Sequence, residues 1–249
     1  MKANVLNQLI KNLEMEFNRS SHYRPNSQGI VLTISREYGS SVKKVAQLLV
    51  DRLNKEEIGF DLCPKKWLLI DTSVIRDLSE ELHLEYKDIA EYVPQEKKGL
   101  IEQLIHSFSP SYNKLDGKLD STLKSIIHAY FERGNVIILG RGGGFYAEGL
   151  SNALRIKVNS NYQFRIAKIM ENHNLGFQDA KLKMLKYSKL RNDFLEHIGK
   201  GKRESYDTVI DRTRLDDSTL ADYLLSFTNA KVKDLRREKE KEQKQKVSV

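Results

Sequence analysis

Apolar residues in this chain follow two spacings. Short continuous runs at 30–34, 67–70, 136–139, 154–158 and 208–210 are each bounded by turn residues. Such runs predict strands buried on both faces. Between them, apolar residues recur every three or four positions. That spacing predicts helices at about 1–18 (Val5, Leu6, Leu9, Ile10, Leu13, Phe17), 41–54 (Val42, Val45, Ala46, Leu49, Leu53) and from Thr72 or Ser73 to about 82. It also predicts helices at about 117–133 (Leu119, Leu123, Ile126, Ile127, Tyr130, Phe131), 161–173, 177–198 and 216–227. Residues 85–110 read as helical around Pro94 and Pro110, and 19–29 read as a linker of turn residues. Strands alternating with helices imply an α/β fold, a five-stranded parallel sheet between helices in three layers.

The junction after the first strand is the most informative point. Ser35-Arg36-Glu37-Tyr38-Gly39-Ser40 leads directly into a helix at Ser41-Val42-Lys43-Lys44. A helix start offers backbone N–H groups and partial positive charge, so an anion is favoured there. A Walker loop reads GxxxxGK[ST], and the place of its lysine falls at or near Val42. Two arginines stand at strand ends, where ligands gather in open α/β sheets. Arg36 serves either phosphate contact, loop bracing or a surface salt bridge. Arg141 follows a fully apolar strand and precedes Gly142-Gly143-Gly144; its fork could hold a phosphate bidentately, or it could be a structural turn residue. Asp71 ends the second strand and could orient an acceptor, reach a metal through water, or cap the next helix.

Composition narrows the class. The chain has 249 residues, with 39% hydrophobic and 31% charged, a net charge of +8 and one cysteine, Cys63. A single cysteine permits no disulfide within the chain, which fits a reducing, cytoplasmic compartment, and no apolar run reaches transmembrane length. Residues 231–249 carry eight Lys/Arg and four Asp/Glu, half of the net charge, with few apolar residues. That tail is expected to be disordered or a frayed helix end. The mildly basic remainder is only weak evidence for nucleic acid, because a nucleotide or small phosphorylated ligand explains it equally well; nucleic acid is not the expected partner, and a basic nucleic-acid arm in the tail is a minor alternative. The six histidines show no metal-ligand spacing, and Gly140–Gly144 does not make GxGxxG because position 145 is Phe.

Three motifs in order carry a resemblance. Ile34-Ser35-Arg36-Glu37-Tyr38-Gly39-Ser40, closed by Val45-Ala46, is one. The second is Val136-Ile137-Ile138-Leu139-Gly140-Arg141-Gly142. The third is Arg165, then Lys189 and Arg191, then Tyr206-Asp207-Thr208-Val209-Ile210-Asp211-Arg212-Thr213. Over about residues 30–227 the chain resembles the cytidylate kinase-like family of P-loop nucleoside monophosphate kinases. The resemblance implies a P-loop kinase-like domain at 29–230 with a helical lid at about 177–203, flanked by an N-terminal helix and linker (1–28) and the charged tail. It implies ATP-dependent phosphoryl transfer to a nucleoside monophosphate or similar acceptor, with ATP and Mg²⁺ as cofactors.

Carried over residue by residue, Arg36, Gly39, Ser40, Ser41, Lys43 and Lys44 would hold the donor phosphates and Arg165 would flank the adenine. Asp71 and Arg141 would meet the acceptor, and Lys189 and Arg191 would be lid cations on the transferred phosphate. For the lysines and lid cations a solvated helix face is the competing reading. Asp211 and Thr213 are expected in a turn. The sequence departs from the family at Ser41 and Val42, in place of paired glycines, at Lys44, in place of a Mg²⁺-binding Ser/Thr, and at Ser188, in place of the lid aspartate. Side chains at 41 and 42 are expected to crowd a bound phosphate. The alternative function is therefore a non-catalytic, kinase-like nucleotide-binding or regulatory protein. The apolar face of the 1–18 helix could pack on the core or mediate a homodimer or partner contact.

Overall fold

The computed structural model describes residues 29–71, 124 and 127–247. The helices expected at 1–18, 72–82 and 85–110, and most of the one expected at 117–133, lie outside the described residues. Two units divide the chain. The first, drawn from Met1–His22 and Ile70–Ala129, contributes Ile70, Asp71, Lys124 and residues 127–129 to the described set. The second, Tyr23–Leu69 and Tyr130–Val249, holds the rest.

The five apolar runs form one five-stranded parallel sheet: β1 (Val31–Arg36), β2 (Leu68–Ile70), β3 (Val136–Leu139), β4 (Ala153–Asn159) and β5 (Thr208–Asp211), in the order β2-β3-β1-β4-β5. Register sets Val31 beside Val136 on one flank and beside Ala153 on the other, and Asn159 beside Asp211. Helix α1 (Lys43–Lys55) follows β1, and the short α2 (Gly143–Tyr146) follows β3. Helices α3 (Tyr162–His173) and α4 (Phe177–Gly199) follow β4, and α5 (Asp217–Val247) follows β5.

Alternation within β1 assigns its two faces. Leu32 and Ile34 join α1 residues Val45, Ala46, Leu49 and Leu53, α5 residues Leu220, Ala221 and Leu224, and Trp67 in one core. Each fully buried Leu or Val stabilises the fold by about 1.5–3 kcal/mol. On the opposite face Gly143 lies against Ile138 and Thr33, where an added Cβ would stand 2.9 Å from Ile138 Cγ2. Helices α3 and α4 form a smaller core of Ile166, Ile169, Ala180 and Met184, with Tyr38 packed on it.

The expected end of the last helix near 227 is corrected. Helix α5 runs 31 residues to Val247, and Val232 and Leu235 enter the main core. Thr228, also fully buried, turns its hydroxyl back onto the Leu224 carbonyl at 2.8 Å, so a polar residue fits the buried stripe. Arg236 then grips Asp61 through two bonds of 2.8 and 2.7 Å, which holds that carboxyl below its usual range. No helix among the described residues is long and apolar enough to cross a membrane.

Candidate active site at the carboxyl edge of the sheet

The connection leaving β1 crosses toward β2, and that leaving β4 crosses toward β5. Neighbouring strands whose connections part in this way open a crevice at their carboxyl ends. The β1–α1 loop, the β4–α3 turn and the strand-end arginines meet there.

The β1–α1 loop is braced from outside. Ser40 is fully buried, its hydroxyl 2.7 Å from the Ser160 hydroxyl, and its N–H donates to the Glu37 carbonyl at 3.2 Å. Glu37 Oε2 accepts the Ser160 N–H at 3.1 Å, and Glu37 Oε1 lies 3.8 Å from Arg165 Nη1. Gly39 has φ +89, and a Cβ there would stand 2.9 Å from both the Cβ and the carbonyl oxygen of Arg165. Glycine at 39 therefore lets α3 approach the loop. Ser41 takes a left-handed φ of 52, and Val42 follows at φ −87, ψ −10.

Arg212, at the end of β5, holds this loop. One of its nitrogens, Nη1, donates to the carbonyls of Ser40 and Ser41, each at 2.7 Å, while Nη2 donates to Asp217 Oδ1 at 2.6 Å. Its guanidinium lies 5.0 Å over the Phe164 ring, and the residue is 1% exposed. In a planar trans peptide the N–H points opposite to the preceding carbonyl. The Ser41 and Val42 N–H groups therefore point away from Arg212. Consecutive left- and right-handed residues that turn successive N–H groups to one side form a concavity suited to an anion. It opens at the start of α1, which has no side-chain cap.

Val42 does not crowd this concavity, contrary to the expectation from sequence. Its side chain is 2% exposed and belongs to the main core. Lys43 and Lys44 both have exposed side chains on the outer face of α1.

Beyond β3, Gly140, Arg141 and Gly142 all have positive φ (78, 56 and 66). Arg141 alone among them carries a side chain, and the left-handed conformation costs it about 1–2 kcal/mol. A Cβ on Gly140 would collide with the Arg36 guanidinium, so Arg36 lies across the turn that carries Arg141. A Cβ on Gly142 would stand 2.8 Å from Ile198 Cδ1, and one on Gly144 would collide with Glu204. Protein atoms thus cover the bare faces of these glycines.

Helix α4 meets this region through Arg191 and Ile198. Its half-buried side includes Ser188 and Arg191, while Lys189 is exposed on another side. Arg191 Nη2 donates to Ser35 Oγ at 2.6 Å, and Ser35 donates to Glu204 Oε2 at 3.0 Å. The Tyr206 hydroxyl donates to the same carboxylate oxygen at 2.6 Å and lies 3.4 Å from Ser35 Oγ. Burial and the Glu204 carboxylate push the Tyr206 phenol up to about 12, so it remains a donor at neutral pH. Asn159 Oδ1, at the end of β4, and Arg165 Nε are buried with no hydrogen-bond partner among the described residues.

Of the residues expected from sequence, the structure gathers Arg36, Gly39, Ser40, Ser41, Arg141, Arg165 and Arg191 around this edge. Lys43, Lys44 and Lys189 lie at exposed positions. Asp71 is buried one residue past β2, in the first unit. Asp211 and Thr213 make a turn, with Thr213 Oγ1 2.5 Å from Asp211 Oδ1. Sequence reasoning quoted Ser35, Tyr206 and Arg212 within motifs but gave them no role, and it missed Glu204. Arg212 carried a usable signal, an arginine at the end of an apolar strand, the same signal that singled out Arg141.

An open five-stranded parallel sheet flanked by helices, with a cluster of arginines at its carboxyl edge beside the first helix start, defines an open-sheet α/β protein. The comparisons refine this: residues 31–214 match the cytidylate kinase-like family, and the chain belongs to it. No curated protein matches the chain. An uncharacterized protein from Eubacterium ventriosum shares the fold, with a TM-score of 0.54, 16% identity, and coverage of 81% of this chain and 98% of that one. The TT1252 protein from Thermus thermophilus aligns at a TM-score of 0.39 and 13% identity, covering 80% of this chain and 97% of its own.

Proposed function

We propose that this protein transfers the terminal phosphoryl group of ATP to a nucleoside monophosphate or a similar small acceptor. The observation that carries the reading is the pairing of two features at the end of β1: the N–H concavity at Ser41–Val42, and a lid arginine, Arg191, brought within 2.6 Å of Ser35. Phosphoryl transfer asks for positioning, charge neutralisation and exclusion of water more than for covalent chemistry. In this reading the loop at 36–44 takes the donor phosphates, Arg191 moves from the Ser35 hydroxyl onto the transferred group, and Arg141 holds the acceptor phosphate. Arg36 steadies the Arg141 turn. Asn159 and Arg165 offer a buried acceptor and donor to the base.

The residues fit nucleotide phosphates better than a protein-held metal. Lys44 occupies the expected hydroxyl position, the Ser40 hydroxyl is paired with Ser160, and no group of three or more His, Cys, Asp or Glu among the described residues could hold a metal. Mg²⁺ is therefore assigned to the ATP it arrives with, where it neutralises phosphate charge. The test is Mg²⁺-dependent ADP production, stimulated by an acceptor, across the common nucleoside monophosphates. Turnover with none of them contradicts the proposal.

One observation favours a second reading, a nucleotide-binding protein that has lost transfer. Glu204 and Ile198 occupy the faces of Gly144 and Gly142, where the backbone would otherwise approach a ligand. That reading predicts nucleotide binding without turnover.

A further inference from the structure

We infer that Arg212 is a positioning residue that does, from outside the β1–α1 loop, what glycine would do within it. The inference rests on the proposed use of that loop for donor phosphates.

Ser41 must be left-handed for the Ser41 and Val42 N–H groups to converge, and its φ is 52. An L-residue with a Cβ resists this conformation, and glycine does not. Something must hold it. The guanidinium of Arg212 does so, spanning Ser40 O and Ser41 O with one nitrogen. Those are the two carbonyls whose orientation fixes the direction of the following N–H groups. Arg212 is itself fixed on its other side by Asp217 and beneath by the Phe164 ring. Its rotamer is thus set by α5 and α3, and the loop is set by Arg212. A lysine there would carry the charge but lacks the planar fork that can serve loop carbonyls and Asp217 together. Arg212 touches neither nucleotide nor the transferred group in this scheme, and its charge stays behind the loop.

The experiment uses the full chain in four forms: wild type, Arg212→Lys, Arg212→Met, and Arg212→Met combined with Ser41→Gly. Two quantities are read: ATP·Mg²⁺ affinity by titration calorimetry, and hydrogen exchange of loop amides 38–44 in ligand-free protein. The expected result is about tenfold weaker ATP binding and faster loop exchange in Arg212→Met, a smaller loss in Arg212→Lys, and recovery of affinity on adding Ser41→Gly. Recovery is the decisive readout, because glycine restores loop geometry but cannot repair a general packing defect around residue 212. Unchanged affinity and exchange in Arg212→Met overturns the inference, as does loss that Ser41→Gly fails to restore. If Arg212→Met does not fold, Arg212→Lys with and without Ser41→Gly gives the same comparison. If wild type binds no ATP, the functional reading fails, and loop exchange alone decides whether Arg212 positions the loop.

Discussion

Ser35 is the hub of the contact that holds α4, the proposed lid, so Ser35→Ala is the sharpest perturbation of it. The hydroxyl accepts from Arg191 at 2.6 Å and donates to Glu204 at 3.0 Å. Glu204 keeps its bond from Tyr206 in the variant, so its carboxylate is not left bare. Arg191 is half-buried and regains water when it lets go, which discounts the loss. A hydrogen bond to a charged group contributes about 1.5–3 kcal/mol, and with that discount the lid loses about 1 kcal/mol of closure. The open population then rises about fivefold. Two assays read it: exchange of amides across 177–203, and trypsin cleavage at the exposed Lys200, Lys202 and Arg203 that follow α4. Tyr206→Phe serves as the control, since it leaves the Ser35–Arg191 bond in place, and its effect should be smaller. Exchange and cleavage rates within error of wild type in Ser35→Ala refute the reasoning, because α4 would then be held by its packing, on α3 through Ala180 and Met184 and on Gly142 through Ile198, rather than by the Ser35 bond.

Two further outcomes follow from the fold. Leu235→Ala should lower the unfolding free energy by about 2 kcal/mol, because it opens a cavity in the main core; a denaturation midpoint equal to wild type would show that the tail lies outside the fold. Burial, aided by the Lys124 charge, holds the His128 imidazole down at about 4 against 6.5 when unfolded. The unfolded chain thus binds the proton first, so the stabilisation is full above about pH 6.5 and drains away as pH falls toward 4, by about 3 kcal/mol. Denaturant titrations across that range check it, and a His128→Leu variant that keeps the full slope contradicts it.

The strands were legible because each is a short apolar run between turn residues, and burial on both faces leaves little room for another reading. The end of α5 was not. Charged residues dominate after Lys231, yet Leu220, Leu224, Thr228, Val232 and Leu235 continue one stripe at helical spacing. A buried threonine that bonds its own backbone hides that stripe from an apolar count. The special glycines were also visible, but the cause of each lay elsewhere in the chain: α3 for Gly39, Arg36 for Gly140, Ile198 for Gly142 and Glu204 for Gly144. Val42 looked like an obstacle because sequence shows that a side chain is present and not where it points; the helix stripe turns it inward. Arg212 is the clearest limit. A fully buried charge is not expected from composition, and its value depends on carbonyls some 170 positions away, at Ser40 and Ser41.

The central claim is that the loop after β1 still receives the phosphates of ATP although Ser41 and Val42 stand in place of paired glycines. Titration calorimetry of the full chain with ATP, with and without Mg²⁺, beside an Arg191→Ala variant, tests it most directly. The account predicts saturable binding that Mg²⁺ strengthens and that Arg191→Ala weakens. No binding by wild type under either condition would contradict it and would leave the five-stranded sheet as a scaffold for a different ligand.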